Sequence, residues 1–284
     1  MAAEKKPQAP DEDEIEASRA PLLDHLTELR TRLMWAAAAL LVATVAAYFF
    51  AAPIFEILVR PYREALVAGG HLAAGQTPRL QITAPLEGFY TYMRIALFGG
   101  IILSFPILAY QAYAFIAPGL YRRERGAVAP FLVAAPIMFI LGGLFAYYVA
   151  LRFAMIFALG FQVQSDTVNL ELIPKMNEYF ALASTLILAF GVCFQMPVVL
   201  ALLARVRILG AGALRKGRRY AIVGIAAFSA MVTPPDVISM TAMALPMYAL
   251  YEISIWLVAW IEAGQAKKDA AEAAAAEAAA PPAP

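Results

Sequence analysis

The hydrophobic pattern of this chain is dominated by four long runs that contain no charged residue. An α-helix needs about 20 predominantly apolar residues to cross the hydrocarbon core of a membrane. Each run reaches that length, so the pattern predicts one membrane-spanning helix in each. The predicted spans are residues 33–55, 95–121, 127–151 and 179–204.

Two shorter apolar runs follow near the end of the chain, and the sequence VTPPDV separates them. They cover residues 220–235 and 237–251, and the second continues past Glu252 through ISIWLVAWI. Proline has no amide hydrogen to donate and forces the preceding residue into an extended conformation, so one continuous helix is excluded. The pattern predicts two short helices that fold back on each other, and therefore six spans in an all-α fold.

The connections between these spans are less regular. The longest, residues 51–89, contains the stretch AGGHLAAGQTPRL and is predicted to be irregular there. Residues 153–169, FAMIFALGFQVQSDTVN, are apolar at first but too few to span, which favours an interfacial helix. Residues 212–219, GALRKGRR, lack the Lys-Ser or Lys-Thr pair of a phosphate-binding loop and are predicted to form a basic loop.

Composition supports a membrane protein and argues against several other classes. The chain is 62% hydrophobic and only 15% charged, far from the balance of a soluble domain. Its formal net charge of +1 favours no nucleic-acid partner. The two histidines, His25 and His71, lie outside the spans, and no nucleophile–base pair is apparent. We predict neither an enzyme nor a cofactor or metal site, and the single Cys193 excludes an internal disulfide.

Basic residues are concentrated on one side of the predicted spans, which sets the orientation. By the positive-inside rule that side is cytoplasmic, so both termini are predicted to be cytoplasmic. The N-terminal residues are acidic, unlike a signal peptide. We predict a disordered tail over 1–20, a membrane domain over 21–262 and a low-complexity tail over 263–284. The basic residues of the cytoplasmic side are Lys5, Lys6, Arg19, Arg30, Arg32, Arg122, Arg123, Arg125, Arg205, Arg207, Arg215, Lys216, Arg218, Arg219, Lys267 and Lys268.

Two carboxylates on the cytoplasmic side are the main candidates for chemistry. Glu28 lies in a lead-in to the first span whose leucines recur at spacings of four, three and four, which predicts an amphipathic helix. Glu28 and Arg32 are four residues apart, so a simple surface ion pair is one interpretation. Glu124 lies in YRRERG, where balancing the charge of a basic turn is the alternative.

Several motifs of this sequence resemble the family of TatC, the C subunit of the twin-arginine protein translocase. The resemblance covers roughly residues 21–260 and is densest in four segments. They are HLTELRTRL, APLEGFYTYMRIALFGGIILSFPILAYQAYAFIAPGLYRRER, FGVCFQMP and MVTPPDVISMTAMALPMYALYEI. The resemblance implies a cupped six-helix bundle in the bacterial plasma (inner) membrane. It also implies a receptor for twin-arginine signal peptides of folded cargo, driven by the proton gradient.

The family's signal-peptide-binding glutamates match Glu28 and Glu124. A carboxylate accepts two hydrogen bonds from the planar guanidinium of arginine, whereas lysine offers only a point charge. The family arginine matches Arg30, which is expected to hold Glu124. Gln111 and Phe115 are expected near the same pocket, with interfacial packing as the alternative for both. The implied partners are single-span subunits of the TatA and TatB type, further copies of the chain in a homo-oligomer, and membrane lipid.

Four further positions match the family as partner-contact or structural residues. Pro61 matches a proline of the first outer loop, where a turn is the alternative. Asp236 matches the family's outer-side aspartate, with capping of the last helix together with Thr233 as the alternative. Glu252 is expected either to extend its carboxylate toward the membrane interface or to pair with Arg218 or Arg219. Many relatives carry glutamate where this chain has Gln195, so this position cannot titrate here. An intramolecular hydrogen bond between helices is the alternative to a docking role for Gln195.

A small-solute secondary transporter is the alternative function. It would require several ionisable residues along a path through the membrane. The interiors of the first five spans offer essentially Gln111 and Gln195. The sequence therefore favours the receptor.

Overall fold

The computed structural model describes residues 12–73, 75–116, 125–164, 169–170, 172–233 and 237–278, and these are almost entirely helical. The helices are α1 (Glu12–Tyr48), α2 (Ala51–Ala68), α3 (Glu87–Ile116), α4 (Arg125–Phe145), α5 (Leu151–Leu159), α6 (Met176–Cys193), α7 (Met196–Arg205), α8 (Ala211–Val232) and α9 (Val237–Ala278). A π turn, Ala146–Ala150, joins α4 to α5. Two short antiparallel strands, β1 (Val163–Gln164) and β2 (Asn169–Leu170), follow α5.

Within the described residues, five helical stretches are long and apolar enough to cross a membrane. The chain is therefore an all-α, multi-pass membrane protein, as the sequence predicts. Helix α8 is not among the five, because its first half carries four basic residues. The count of six spans, the cupped shape and the cytoplasmic termini stay predictions. The stretches are Leu26–Tyr48, Glu87–Phe115, Pro130–Leu159, Met176–Arg205 and Met240–Ala274.

The amphipathic lead-in and the first span form one helix, as predicted, but that helix ends early. The predicted span 33–55 is wrong at its end, because α1 stops at Tyr48 and α2 begins at Ala51. Pro53 has no amide hydrogen and so cannot continue α1, whereas the first turn of a new helix tolerates it. Helix α2 occupies a region that the sequence assigned to a loop.

The third span also differs from its prediction. Helix α4 does not end near Leu151 but continues through the π turn into α5, which ends at Leu159. The apolar start of residues 153–169 is thus the end of a long helix, and the separate interfacial helix is not found. The apolar run continues across the π turn to Leu151, so the sequence predicts no break at that point.

The fourth span is divided where the sequence predicts one helix. Helix α6 ends at Cys193 and α7 begins at Met196, with Phe194 and Gln195 between them. Pro197 explains the break, since it offers no amide hydrogen to the carbonyl of Cys193 four residues earlier. The break places a polar residue, Gln195, at the junction of two helices.

The basic segment 212–219 is helical, which corrects the predicted loop. It forms the first turns of α8, where Leu, Arg and Lys are strong helix formers. The predicted interruption at the double proline is confirmed, because α8 ends at Val232 and α9 begins at Val237. The prediction that the last helix is short is wrong, because α9 extends over 42 residues to Ala278. Helices α8 and α9 pack against each other. Helical structure reaches into both predicted tails, and the division of the chain into domains stays a prediction.

Two glycines allow the helices to approach closely. A Cβ atom added at Gly100 would lie 2.8 Å from Cα of Thr44, so α1 and α3 meet backbone to backbone. A Cβ atom added at Gly142 would lie 2.5 Å from the carbonyl oxygen of Phe190, which shows the same for α4 and α6. Small residues at such crossings let membrane helices gain van der Waals contact. Helix α1 is therefore anchored mainly by α3.

Candidate functional site

Glu28 projects from α1 into an ion pair with Arg32 on the same helix. Nη2 of Arg32 donates to Oε1 of Glu28 over 2.5 Å, and Nε donates to the same oxygen over 2.9 Å. The two side chains are only 29% and 26% exposed. Among the described residues no donor reaches the second carboxylate oxygen, Oε2. Glu28 thus combines the predicted local pair with one oxygen that is open to another donor.

The register of α1 against α3 determines what lies beside Glu28. The two helices run antiparallel and cross where Thr44 meets Gly100. Glu28 lies 16 residues before Thr44, and Phe115 lies 15 residues after Gly100. At a rise of about 1.5 Å per residue, both lie about 23 Å along their helices from the crossing. The end of α3 therefore reaches the level of Glu28, and Phe115 is half-buried there.

An apolar cavity of about 470 Å³ runs along the same pair of helices. Gln111 of α3 lies at its end nearer Glu28, together with Trp35 of α1. Ala46 and Leu103 lie at the other end, nearer the crossing. The cavity therefore begins at Trp35, about two helical turns from Glu28, and its lining is mainly apolar from there toward the crossing. Trp35 is the wall residue that the sequence analysis did not single out, although an aromatic residue near the start of a span is a typical sign of an interface position.

The other half of the predicted clamp stays a prediction. Glu124 lies outside the described residues, which end at Ile116 before it and resume at Arg125 after it. Arg30 is exposed, and among the described residues it makes no ion pair. Its predicted contact with Glu124 is therefore untested. In sequence, α3 ends only eight residues before Glu124.

Gln195 makes an interhelical hydrogen bond at the junction of α6 and α7. Its Nε2 donates to the carbonyl of Ala135 on α4 over 2.9 Å and lies 3.5 Å from the carbonyl of Gly191. Gln195 also lines a mainly apolar cavity of about 350 Å³ together with residues of α3, α4 and α7. Its Oε1 accepts no hydrogen bond within the described part of the chain. The side chain of Gln195 therefore links the junction of α6 and α7 to α4, and its Oε1 stays open to a further hydrogen-bond donor.

Glu252 pairs with Arg218, one of its two predicted partners. Nη2 of Arg218 donates to Oε2 over 2.7 Å, and the hydroxyl of Tyr248 donates to Oε1 over 2.8 Å. This arrangement joins α8 to α9 and gives Glu252 a structural role. Whether Glu252 also contacts a partner subunit stays a prediction.

Pro61 lies within the described residues, whereas Asp236 does not. Pro61 is buried inside α2, which excludes the alternative of a simple turn. A partner-contact or structural role for Pro61 stays a prediction. Asp236 lies outside the described residues. The hydroxyl of Thr233, its predicted capping partner, donates to the carbonyl of Ser229 over 2.8 Å and closes the end of α8.

Comparisons with known proteins agree with this fold over most of the chain. The family model of TatC, Sec-independent protein translocase protein, matches residues 24–246. A TatC protein of Magnetococcus marinus is 40% identical over 256 residues, which are 90% of this chain and 90% of the relative. A TatC protein of Escherichia coli K12 is 35% identical and covers 83% of this chain, matched to 87% of its own length. A crystal structure of the twin-arginine translocase receptor TatC superposes with a TM-score of 0.71 at 32% identity, covering 84% of this chain and 99% of the other.

The fold and the site define a multi-pass α-helical membrane protein of a non-enzymatic transport class. Within that class, the chain belongs to the TatC family. It is thus a subunit of the twin-arginine protein translocase, which operates as a complex with other Tat components.

Proposed function

We propose that this chain is the twin-arginine signal-peptide receptor and core subunit of its translocase. The observation that supports this proposal best is the half-buried carboxylate of Glu28, which uses one oxygen for Arg32 and leaves the other open. A carboxylate in this state has a defined position before a ligand arrives. Its open oxygen can accept one N–H of a guanidinium directly, whereas binding through two parallel N–H groups requires Arg32 to release Oε1.

The chemistry of the site favours arginine over lysine. A guanidinium presents two parallel N–H groups to a carboxylate, whereas an ammonium presents a single point charge. A hydrogen bond to a charged group contributes about 1.5–3 kcal/mol, and the lower end applies where water enters. Glu124 supplies the second carboxylate in this proposal, for the second arginine, with Arg30 holding it before the peptide binds.

The apolar cavity between α1 and α3 suits the hydrophobic segment that follows the arginines in a signal peptide. It starts beside Gln111 and Trp35 and is bounded mainly by alanine, valine, leucine and isoleucine. A peptide held by Glu28 at its arginines would therefore lay its apolar part along α1. Phe115 and Gln111 would contact the peptide near the arginines.

The rest of the proposal concerns the assembled translocase. The chain lies in the bacterial inner membrane with both termini in the cytoplasm and spans it six times. Single-span subunits of the TatA and TatB type dock against it, and further copies of the chain join the complex. The proton gradient drives export. Because Gln195 cannot titrate, it acts in docking through its open amide oxygen and takes no part in proton transfer. A small-solute transporter is not favoured.

Site-directed photo-crosslinking tests this function. A photoreactive residue at Leu29, next to Glu28 and exposed, should crosslink to a twin-arginine signal peptide in membranes. The same residue at Ile208, which is exposed after α7, serves as the matched control and should not crosslink. Equal crosslinking at both positions, or none at Leu29, would contradict the proposal.

A further inference from the structure

A second cavity of the bundle lies at the end away from Glu28, and it is independent of the proposed receptor site. It is a groove of about 390 Å³ between α2, α3, α4 and α6. This volume lies in the range of about 300–1,000 Å³ that is typical of ligand pockets. Its floor is built from buried apolar side chains, among them Leu58, Phe98 and Phe139.

The rim of this groove is exposed and faces away from the core. Ile140 and Leu144 of α4 are 53% and 45% exposed while lining the groove. Both belong to a stretch that is long and apolar enough to span the membrane. The groove is therefore open toward the hydrocarbon region along its length.

One end of the groove is polar, and two tyrosines and an arginine form it. The π turn places the consecutive residues Tyr147 and Tyr148 in the lining, with ring centroids 4.9 Å apart. The hydroxyl of Tyr147 is used, since it donates to the carbonyl of Ile57 over 2.8 Å. Tyr148 is 66% exposed, and its hydroxyl makes no hydrogen bond within the described residues. Single π turns inside α-helices are frequent at functional sites.

Arg60 supplies the positive charge at the same end. It lines the groove from α2 and is exposed. Glu56 and Glu64 lie one helical turn before and after it, yet neither forms an ion pair with its guanidinium within 4 Å. Among the described residues of the groove wall there is no carboxylate. The groove therefore ends in a guanidinium that forms no ion pair within the described residues, beside an open phenolic donor.

We infer that this groove is a binding site for one membrane phospholipid. An acyl chain lies along the apolar floor, and the phosphodiester accepts hydrogen bonds from the guanidinium of Arg60 and the hydroxyl of Tyr148. Guanidinium groups match phosphate geometry with two parallel hydrogen bonds. The lipid fastens α2 to α4 across the π turn.

Charge complementarity selects this ligand over the others that an apolar groove could take. A hydrophobic helix of a partner would cover the floor but would leave the guanidinium of Arg60 without a partner in an apolar setting, which is costly. A free phosphate would satisfy Arg60 but not the apolar floor. Only an amphipathic molecule with a phosphate at one end matches both parts.

Native mass spectrometry of the full-length protein in detergent tests the inference. The wild-type protein should retain one added phosphatidylglycerol. A diacylglycerol, which has the same chains without the phosphate, should be retained about tenfold less, and excess inorganic phosphate should not displace the phospholipid. Arg60→Gln should lower retention about tenfold. The matched control Arg63→Gln, on the same helix and outside the groove, should leave retention unchanged.

A second pair of variants tests the apolar part. Gly143→Leu introduces a side chain into the groove and should abolish retention. Gly224→Leu makes the same change in α8 where nothing lies within 4 Å of the added Cβ, so it should retain the lipid. Equal retention by the wild type, Arg60→Gln and Gly143→Leu would overturn the inference. So would a photo-crosslinker at Ile140 that captures a protein helix and no lipid.

Discussion

Pro61 and Tyr147 meet at a single backbone carbonyl. Proline at position 61 has no amide hydrogen, so the carbonyl of Ile57, four residues earlier in α2, lacks its usual helical donor. The hydroxyl of Tyr147 donates to that carbonyl over 2.8 Å. A side chain of the π turn thus donates a hydrogen bond to a backbone carbonyl that a proline in another helix has left without its helical donor. Backbone polar groups of membrane helices need such a substitute where a proline interrupts the hydrogen bonding.

This relationship predicts a conditional effect on stability. Tyr147→Phe should lower the free energy of unfolding by about 0.5–1.5 kcal/mol, because it removes the hydrogen bond to the carbonyl of Ile57. In a Pro61→Ala background the new amide hydrogen can serve that carbonyl, so the same change should cost clearly less. Thermal unfolding of the four proteins in detergent measures the coupling. Tyr90→Phe, at an exposed tyrosine without a hydrogen bond within the described residues, is the control.

The crossing of α1 and α3 should not tolerate a side chain at Gly100. An added Cβ would lie 2.8 Å from Cα and N of Thr44, so Gly100→Ala must push the two backbones apart. Overpacking of this kind costs about 1–3 kcal/mol. The melting temperature in detergent should fall, whereas Gly224→Ala, in open space on α8, should leave it unchanged or raise it. An unchanged melting temperature for Gly100→Ala would show that the helices do not meet as described.

Substitution of Gln195 should weaken partner docking without changing peptide binding. Gln195→Leu removes the bond to Ala135 and the open amide oxygen. Hydrogen bonds of this kind between membrane helices contribute about 0.6–2 kcal/mol. Co-purification of a single-span partner should fall, while crosslinking of a twin-arginine peptide at Leu29 should not change. Gln195→Glu loses the donation to Ala135 but keeps an acceptor oxygen, so it should retain the partner. Loss of peptide crosslinking in Gln195→Leu would contradict the separation.

Arg32 should act as a competitor of the incoming peptide. Its two donors occupy Oε1 of Glu28, and its charge repels a second guanidinium. Local ion pairs near the surface contribute about 0.2–1 kcal/mol, so Arg32→Gln should tighten binding of a twin-arginine peptide a few-fold. Fluorescence anisotropy with a labelled peptide measures this. Weaker binding would show instead that Arg32 mainly holds Glu28 in position.

The sequence predicted the apolar cores of the helices and missed the places where they break. An apolar run identifies a membrane span because residues in the hydrocarbon core must be apolar whichever helices they pack against. The breaks near Pro53 and Pro197 depend on single missing amide hydrogens, and proline inside α2 or α4 does not break those helices. At Pro61 the open carbonyl of Ile57 accepts a hydrogen bond from Tyr147, which lies 90 residues away in sequence, so no local pattern predicts it.

The candidate site around Glu28 could be predicted from the sequence only in part, because only some of its contacts are local. The pair of Glu28 and Arg32 follows from a spacing of four within one helix. The neighbourhood of Glu28 with Gln111 and Phe115 follows from the antiparallel register of α1 and α3. That register is set by contacts such as Thr44 with Gly100, which no local pattern encodes.

The binding preference of Glu28 for arginine is the most direct test of the receptor function. Dissociation constants should be measured for a twin-arginine peptide and its twin-lysine counterpart on the wild type, Glu28→Gln and the double variant Glu28→Gln, Glu124→Gln. Glu178→Gln is the matched control, since Glu178 also forms a local ion pair, with Lys175. We expect the wild type and the control to prefer arginine by at least about tenfold. We expect Glu28→Gln to lose most of that preference and the double variant to lose all of it. An arginine preference that is the same in Glu28→Gln as in the wild type would contradict the proposed role of Glu28.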